Sequence, residues 1–268
     1  MSKILSSSGT WATYGNFESQ FTIAGSSHAA SILQATLRDD PDGMNPSSLS
    51  ICYTADLSKG APGGGIYWGD KTYWQYVSEI SKNKDLVIVW NGNQHVANFL
   101  FQTIPAFTFY GVEGSESTGE YLPIPRTMIK AFFEPFFDEL TEIIPLMTDA
   151  ASITLMNGPA PKPLSYIKTR IKHEPFFAEV ANSLQVDIDS LEITSDQLRL
   201  ELWKLISEML ETHAKALGIR FLSAPEKAVD SSGMLLEKYW NPDVSHANAE
   251  YGALLVEKIH DFFAVKSN

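Results

Sequence analysis

The sequence predicts a three-layer α/β protein in which helices cover both faces of a parallel sheet of five strands. Short apolar runs alternate with longer stretches of helical periodicity along the 268 residues, and this alternation is typical of parallel strands joined by crossover helices. The short runs are mostly apolar throughout, as expected for strands that are buried on both faces. Because 44% of the residues are hydrophobic, the chain can form a sizeable core, and we expect residues 1–268 to form a single domain.

Each predicted strand is a short apolar run, and each predicted helix carries apolar residues three or four positions apart. The predicted strands are Phe21–Ala24, Leu49–Tyr53, Leu86–Trp90, Ile153–Met156 and Ile219–Leu222. The predicted helices are Ala29–Leu37, Tyr73–Ile80, Thr127–Met147, Asp196–Leu217 and Ala249–Phe263.

The helix predicted over Asp196–Leu217 has the clearest pattern. Thr194 and Gln197 have the spacing of a capping box at its start. Gly218 occupies the position of a C′ glycine at its end. The apolar residues that share one face are Leu198, Leu202, Leu205, Ile206 and Met209.

The charge of the chain excludes one class of partner. There are 20 Lys and Arg residues against 32 Asp and Glu residues, a formal net charge of −12, and such a chain repels a nucleic-acid backbone. The single cysteine, Cys52, cannot form an internal disulfide. Residues 1–8 lack the apolar core of a signal peptide, and no apolar stretch reaches the ~18 residues of a membrane span. We therefore expect a cytoplasmic protein without nucleic-acid or membrane partners.

Polar segments follow the predicted strands at the edge where parallel sheets bind ligands. They are Gly25-Ser26-Ser27-His28, Asn91-Gly92-Asn93-Gln94-His95, and Asp243-Val244-Ser245-His246 ahead of the last helix. A serine on a glycine turn at a helix start exposes its hydroxyl, and its backbone N–H faces an anion that forms there. An Asp-x-x-His turn lets the carboxylate fix the tautomer of its histidine, which can then accept a proton from the serine. Together the segments predict an acyl-transfer site.

Each segment also has a purely structural interpretation. Ser27 is a suitable helix N-cap, Asn93 is a suitable turn residue, and His246 can be a hydrogen-bonded histidine at a helix start. Glu257 and His260 repeat the acid-x-x-His spacing inside the last helix, so one of the two pairs is incidental. The order of the segments at successive sheet ends favours the functional interpretation.

The same segments resemble the SGNH/GDSL hydrolases, whose fold is a flavodoxin-like three-layer sandwich. The shared order is Gly-x-Ser near the N-terminus, Gly-Asn after the third strand and Asp-x-x-His before the terminal helix. The likeness is greatest to one branch of that family and extends from Phe21 to Phe263. Its carrying stretches are residues 23–29, 92–95, 105–109, 157–161 and 239–252, the last of which reads Tyr-Trp-Asn-Pro-Asp-Val-Ser-His-Ala-Asn-Ala-Glu-Tyr-Gly.

The resemblance implies a serine esterase that hydrolyses carboxylic or acetyl esters through an acyl-serine intermediate. It makes Ser27 the nucleophile, His246 the general base and Asp243 the residue that orients the histidine. The family usually has Asp where this chain has Ser26, so Ser26 is the alternative nucleophile. The alternative functions are O-acyl transfer to a sugar or alcohol, and a non-catalytic or metal-binding member of the fold.

The resemblance also implies an oxyanion hole formed by the Ser27 backbone N–H, the Asn93 side chain and a glycine, for which we choose Gly64 among three adjacent candidates. We expect His28 and His95 to line the substrate pocket. With His246 and its aspartate they form the alternative of a metal site, which no tight His-x-x-x-His pair supports. We expect no cofactor and no metal, and a small-molecule ester or acylated carbohydrate as the substrate. The sequence leaves the oligomeric state open.

Overall fold

A computed structural model describes residues 4–7, 11–14, 19–25, 27–39, 50–54, 71–90, 94–109 and 121–264. The main sheet has seven strands in the order β1-β2-β4-β3-β5-β8-β9, and β6 and β7 form a separate parallel pair. The strands are β1 Ile4–Ser7, β2 Trp11–Tyr14, β3 Phe21–Gly25, β4 Ser50–Thr54, β5 Asp85–Val89, β6 Phe107–Phe109, β7 Leu122–Ile124, β8 Ser152–Met156 and β9 Arg220–Leu222.

The predicted α/β class with a parallel sheet is confirmed, but the predicted extent of the sheet is wrong. Parallel pairings join β4 to β3, β3 to β5, β5 to β8 and β8 to β9. Two further strands, β1 and β2, extend the β4 edge in antiparallel fashion, so the sheet is mixed. Strand β1 contains Ser6 and Ser7, and β2 contains Thr13, so the two strands are not wholly apolar runs of the kind expected for a buried parallel sheet.

Helices lie in several of the described connections between the strands. One prediction is wrong in detail: the helix predicted over Thr127–Met147 is interrupted at Glu134, because Pro135 lacks a backbone N–H and instead begins a new helix. The helices are α1 Ala30–Asp39, α2 Lys71–Ile80, α3 Gln94–Phe99, α4 Arg126–Phe133, α5 Pro135–Ile143, α6 Leu164–Arg170, α7 Pro175–Ser183, α8 Asp196–Ala216 and α9 Ala249–Ala264.

The two ends of α8 differ in how well the sequence predicted them. The N-cap is Ser195, whose hydroxyl accepts a hydrogen bond from the Leu198 backbone N–H, so the capping box predicted at Thr194 is wrong. Thr194 is instead buried. At the other end Gly218 has a φ of 68°, and its N–H donates to the Lys215 carbonyl within a Schellman motif. That glycine prediction is confirmed.

The sheet separates two hydrophobic cores, as a three-layer arrangement requires. Alternate residues of β5 face opposite ways, so Leu86 and Ile88 pack with α2, α4, α5 and α8, whereas Val87 and Val89 pack with α1 and α9. A smaller cluster under α6 and α7 includes Val244. In the described part of the chain, no helix is long and apolar enough to cross a membrane.

Helices α1 and α9 cross at very short range. A Cβ atom added to Gly252 of α9 would lie 1.9 Å from the backbone oxygen of Ser31 in α1, so only glycine permits this approach. Ser27 lies just before α1, and His246 lies just before α9. The crossing therefore helps to set the positions of these two residues relative to each other.

The Gly252→Ala variant is expected to lose ~1–3 kcal/mol of unfolding free energy, because two backbones must separate to admit the methyl group. Urea denaturation of both proteins measures this difference. In an unobstructed helix interior the same substitution stabilises by about 1 kcal/mol. A gain in stability would therefore contradict the close crossing.

Candidate active site

The end of β3 positions Ser27. Gly25, the last residue of this strand, lies so close to β5 that an added Cβ would be 2.6 Å from the Val89 backbone oxygen. Its N–H donates to the buried Tyr73 hydroxyl at 3.0 Å. The short 3-10 helix Ser27–Ala29 follows and leads into α1. The Ser27 hydroxyl is thereby held at the carboxyl edge of the sheet, where ligands of parallel sheets bind.

The structure brings Ser27, His246 and Asp243 together. His246 Nε2 lies 2.7 Å from Ser27 Oγ, and His246 Nδ1 lies 3.1 Å from Asp243 Oδ2. The three side chains come from opposite ends of the sequence, 219 positions apart for the Ser–His pair. All three are only partly accessible. Their order and spacing are those of a nucleophile, a general base and an orienting carboxylate.

Asp243 is held by several donors. Its Oδ1 accepts from the backbone N–H groups of Ser245 at 2.9 Å and His246 at 2.6 Å, and its Oδ2 accepts from Asn241 Nδ2 at 2.5 Å. Burial by itself would raise the pKa of this carboxyl, but the hydrogen bonds and charges of His246 and Lys162 hold it well below its usual range. Asp243 is thus ionised at neutral pH and can only accept hydrogen bonds.

The ionised Asp243 determines the tautomer of His246. An acceptor-only carboxylate at Nδ1 requires that Nδ1 carry the ring hydrogen. Nε2 is then left with its lone pair directed at the Ser27 hydroxyl, which donates to it. This arrangement can remove a proton from Ser27 as the serine oxygen attacks an electrophile.

The segment that carries His246 is fixed at both ends. Trp240 and Ala247 form an antiparallel bridge, and the Asn248 side chain donates to the Lys238 and Trp240 carbonyls. The oxygen of the same side chain accepts from the backbone N–H groups of Glu250 and Tyr251 and so caps α9. The stretch 239–252, singled out in the sequence, therefore forms a rigid turn into the last helix.

Three residues that the sequence analysis missed also hold this turn. Lys162, Tyr166 and Arg170 bind carbonyl oxygens of residues 241–243. They lie four positions apart, a spacing that places side chains on one face of a helix, and α6 carries the second and third of them. That spacing of donors is a signal present in the sequence.

The two predicted pocket histidines are both buried. The His28 ring lies 4.8 Å from the His246 ring, centroid to centroid, beside Ser27. His95 lies in α3, which follows β5 at the same edge of the sheet. Across the described ranges, no group of three or more His, Cys, Asp or Glu side chains is placed to hold a metal ion.

Three predicted site residues lie outside the described residues. They are Asn93 and Gly64, the predicted oxyanion donors, and Ser26, the alternative nucleophile. The chain leaves β5 at Val89, whose partner in the parallel register is Gly25. Asn93 is therefore four residues beyond a strand end that adjoins the Ser27 turn.

The second acid-x-x-His pair lies elsewhere. The His260 ring packs edge-on against the Phe21 ring, with centroids 5.4 Å apart, and Glu257 lies 3.8 Å from Lys227. Phe21 begins β3, whereas Ser27 follows the end of that strand. His260 thus lies near the amino end of β3, whereas Ser27 lies beyond its carboxyl end.

Among the comparisons with known proteins, only the comparison with solved structures finds matches to this chain. No protein-family model and no curated protein matches it. A GDSL-like lipase from Bacteroides thetaiotaomicron is 12% identical with a TM-score of 0.48, over 93% of this chain and 89% of that one. The periplasmic domain of a lipopolysaccharide acetyltransferase from Salmonella ser. Paratyphi A is 12% identical with a TM-score of 0.45, over 92% and 84%. The functional proposal therefore rests on the geometry of Ser27, His246 and Asp243.

Proposed function

We propose that the chain is a serine hydrolase of the esterase type, acting on carboxylic or acetyl esters through an acyl-Ser27 intermediate. The observation that carries this proposal is the continuous hydrogen-bonded series from Asp243 through His246 to the Ser27 hydroxyl, at 3.1 and 2.7 Å. The order of the parallel pairings also supports it. When β3, β4, β5, β8 and β9 are numbered 1 to 5 along the chain, their order across the sheet is 2-1-3-4-5, as in flavodoxin-like sheets. Ser27 lies at the switch point of this order, between β3 and β5.

In the acylation step, Ser27 Oγ attacks the ester carbonyl while His246 Nε2 accepts the hydroxyl proton. The C–O bond to Ser27 forms, and the carbonyl oxygen takes the negative charge of the tetrahedral intermediate. When the intermediate collapses, the bond to the alcohol oxygen breaks and the imidazolium returns its proton to that oxygen. Asp243 stabilises the imidazolium throughout and stays ionised, because its pKa is far below the working range.

The negative oxygen needs hydrogen-bond donors. The backbone N–H of Ser27 begins the 3-10 helix that leads into α1, so the positive end of that helix faces the oxyanion. We propose Asn93 and Gly64 as the other donors.

In the deacylation step, His246 takes a proton from a water molecule as the water oxygen attacks the acyl carbon. The bond to Ser27 Oγ then breaks, the imidazolium returns its proton to Ser27 Oγ, and the acid leaves. We propose that His28, beside His246, lines the pocket for a small ester or an acylated carbohydrate.

Trapping the acyl-enzyme tests this function. The protein is mixed with an excess of p-nitrophenyl acetate, quenched in acid and digested, and the acetylated peptide is located by mass spectrometry. Acetyl on Ser27 in the wild type and its absence from His246→Ala are expected. A protein that turns over the ester with no acyl group on Ser27 would contradict the proposal. Product analysis with added alcohols separates hydrolysis from acyl transfer.

Replacing Asn93 with alanine is expected to lower kcat ~10²–10³-fold with little change in KM, because an oxyanion donor binds the developing charge more strongly than the ground-state carbonyl. Steady-state kinetics with the activated ester measure both constants. A change confined to KM would make Asn93 a substrate contact or a turn residue instead.

A further inference from the structure

Lys162 is a buried cation behind the proposed catalytic residues. Its side chain has no accessible surface, and it lies in the segment between β8 and α6. Lysine is almost never fully buried unless it is paired. Here the ammonium donates to the carbonyl oxygens of Asn241, at 2.7 Å, and Asp243, and it lies 3.6 Å from Asp243 Oδ1. One side chain thus contacts both the backbone and the carboxylate of the Asp243 turn.

Helix α8 holds Lys162 in place from the other side. Arg199 is also fully buried and donates to the Lys162 backbone oxygen at 2.8 Å and to the Thr194 backbone oxygen at 3.0 Å. The Asp196 carboxylate pairs with Arg199 and accepts from the Leu164 backbone N–H. A chain of buried and partly buried polar contacts therefore runs from α8 through Lys162 to Asp243 and His246. Burying two cations is costly, and a stable fold alone could use apolar side chains here.

We propose that Lys162 is a positioning residue for the reaction of Ser27, which holds the turn of residues 241–243 and supplies the positive charge that balances Asp243 behind His246. This inference rests on the proposed function. Lys162 does not contact Ser27, so it acts through the aspartate. Burial lowers the pKa of Lys162 to about 8, against the raising effect of Asp243. The cation is thus present over the pH range in which histidine ordinarily titrates.

The positive charge of Lys162 affects the protonation of His246 in a way that the hydrogen bonds of Lys162 to the turn do not. The negative Asp243 favours the imidazolium form of His246, and the nearby ammonium offsets part of that negative charge. Removing the ammonium should therefore strengthen the attraction of Asp243 for the imidazolium, so that activity requires a higher pH. Merely loosening the turn should instead weaken the Asp–His contact, so that activity extends to lower pH. In the described part of the chain, the other charged or titratable groups that face this cluster are His28, Tyr166, Arg170 and Glu174. The Lys162 substitutions below leave all four unchanged.

The test is the pH dependence of kcat/KM for p-nitrophenyl acetate in four variants. Its acid limb reports the ionisation of the free-enzyme base. In Lys162→Met we expect the limb to move to higher pH, on the order of one pH unit, and kcat to fall ~10²-fold with little change in KM. Lys162→Gln, which keeps an amide donor without charge, should move the limb in the same direction and serves if the methionine variant does not fold. Lys162→Arg should restore the wild-type limb.

Tyr166→Phe is the matched control, because it removes a neutral donor to the same turn, the 3.2 Å hydrogen bond to the Asn241 oxygen, and leaves every charge in place. Its acid limb should coincide with that of the wild type. An unmoved or lowered limb in both uncharged variants, or an arginine variant that behaves like them, would overturn the role of Lys162. If the wild type hydrolyses no ester through Ser27, the proposed function itself is wrong, and this inference falls with it.

Discussion

His246→Ala is expected to lower kcat ~10³-fold or more, because Ser27 then has no group to accept its proton. His260→Ala is the matched control. It removes the other histidine of the same acid-x-x-His spacing, which packs against Phe21 at the far edge of the sheet, and it should leave kcat within a small factor. Steady-state hydrolysis of p-nitrophenyl acetate by both variants, with thermal unfolding to confirm that each is folded, gives the comparison.

Two further results bear on this assignment. Asp243→Asn should also be severe, by ~10⁴-fold in kcat on the scale of serine hydrolases, since the amide favours the wrong histidine tautomer. The acid limb of wild-type kcat/KM should show no ionisation of Asp243 in the ordinary carboxyl range, because the pKa of this carboxyl is held well below that range. Activity lost in His260→Ala and kept in His246→Ala would contradict the assignment. So would activity that a chelator removes and added zinc restores.

Ser27→Ala is expected to abolish ester hydrolysis while the protein stays folded. The reaction loses its nucleophile, whereas the fold loses a partly exposed hydroxyl, worth at most about 1–2 kcal/mol as a helix cap. Ser26→Ala is the control, because it removes the neighbouring hydroxyl of the same turn. Ester hydrolysis and urea unfolding are measured on both.

The two serine variants distinguish the two possible registers of the nucleophile. The 2.7 Å contact of Ser27 Oγ with His246 predicts that Ser26→Ala keeps the greater part of the wild-type activity. Activity retained by Ser27→Ala and lost in Ser26→Ala would show that the register is wrong. Activity retained by both would rule out an acyl-serine on this turn.

The buried strands could be predicted from the sequence because strands covered on both faces consist mostly of apolar residues. Phe21–Gly25, apart from Thr22, and residues 86–89 are apolar runs that lie between two helical layers. A polar side chain there needs a buried partner, and the Thr22 hydroxyl donates to the Ile80 carbonyl. The edge strand Ile4–Ser7 has no such requirement, so its sequence does not differ from that of a loop. The break at Pro135 was visible in the sequence, but a proline can either kink a helix or begin one.

The three residues of the candidate site could be predicted from the sequence, but the residue that holds their turn in place could not. Ser27, Asp243 and His246 lie at the sheet end and the turn that the order of segments indicated. Lys162 was not found because its role depends on a contact with residues about eighty positions away, 81 in the case of the Asp243 oxygen. A lysine in a Pro-rich segment is expected to be solvated, and only the fold shows that this one is buried against the aspartate.

Mapping the site of fluorophosphonate attachment tests the central claim most directly. The reagent reacts covalently with a serine that a neighbouring base activates, and it needs no knowledge of the natural substrate. Peptide mass spectrometry of the labelled wild-type protein should place a single phosphonyl group on Ser27, and labelling should be lost in His246→Ala and kept in His260→Ala. No labelling of the folded wild-type protein, or attachment to Ser26 or another residue, would contradict the account.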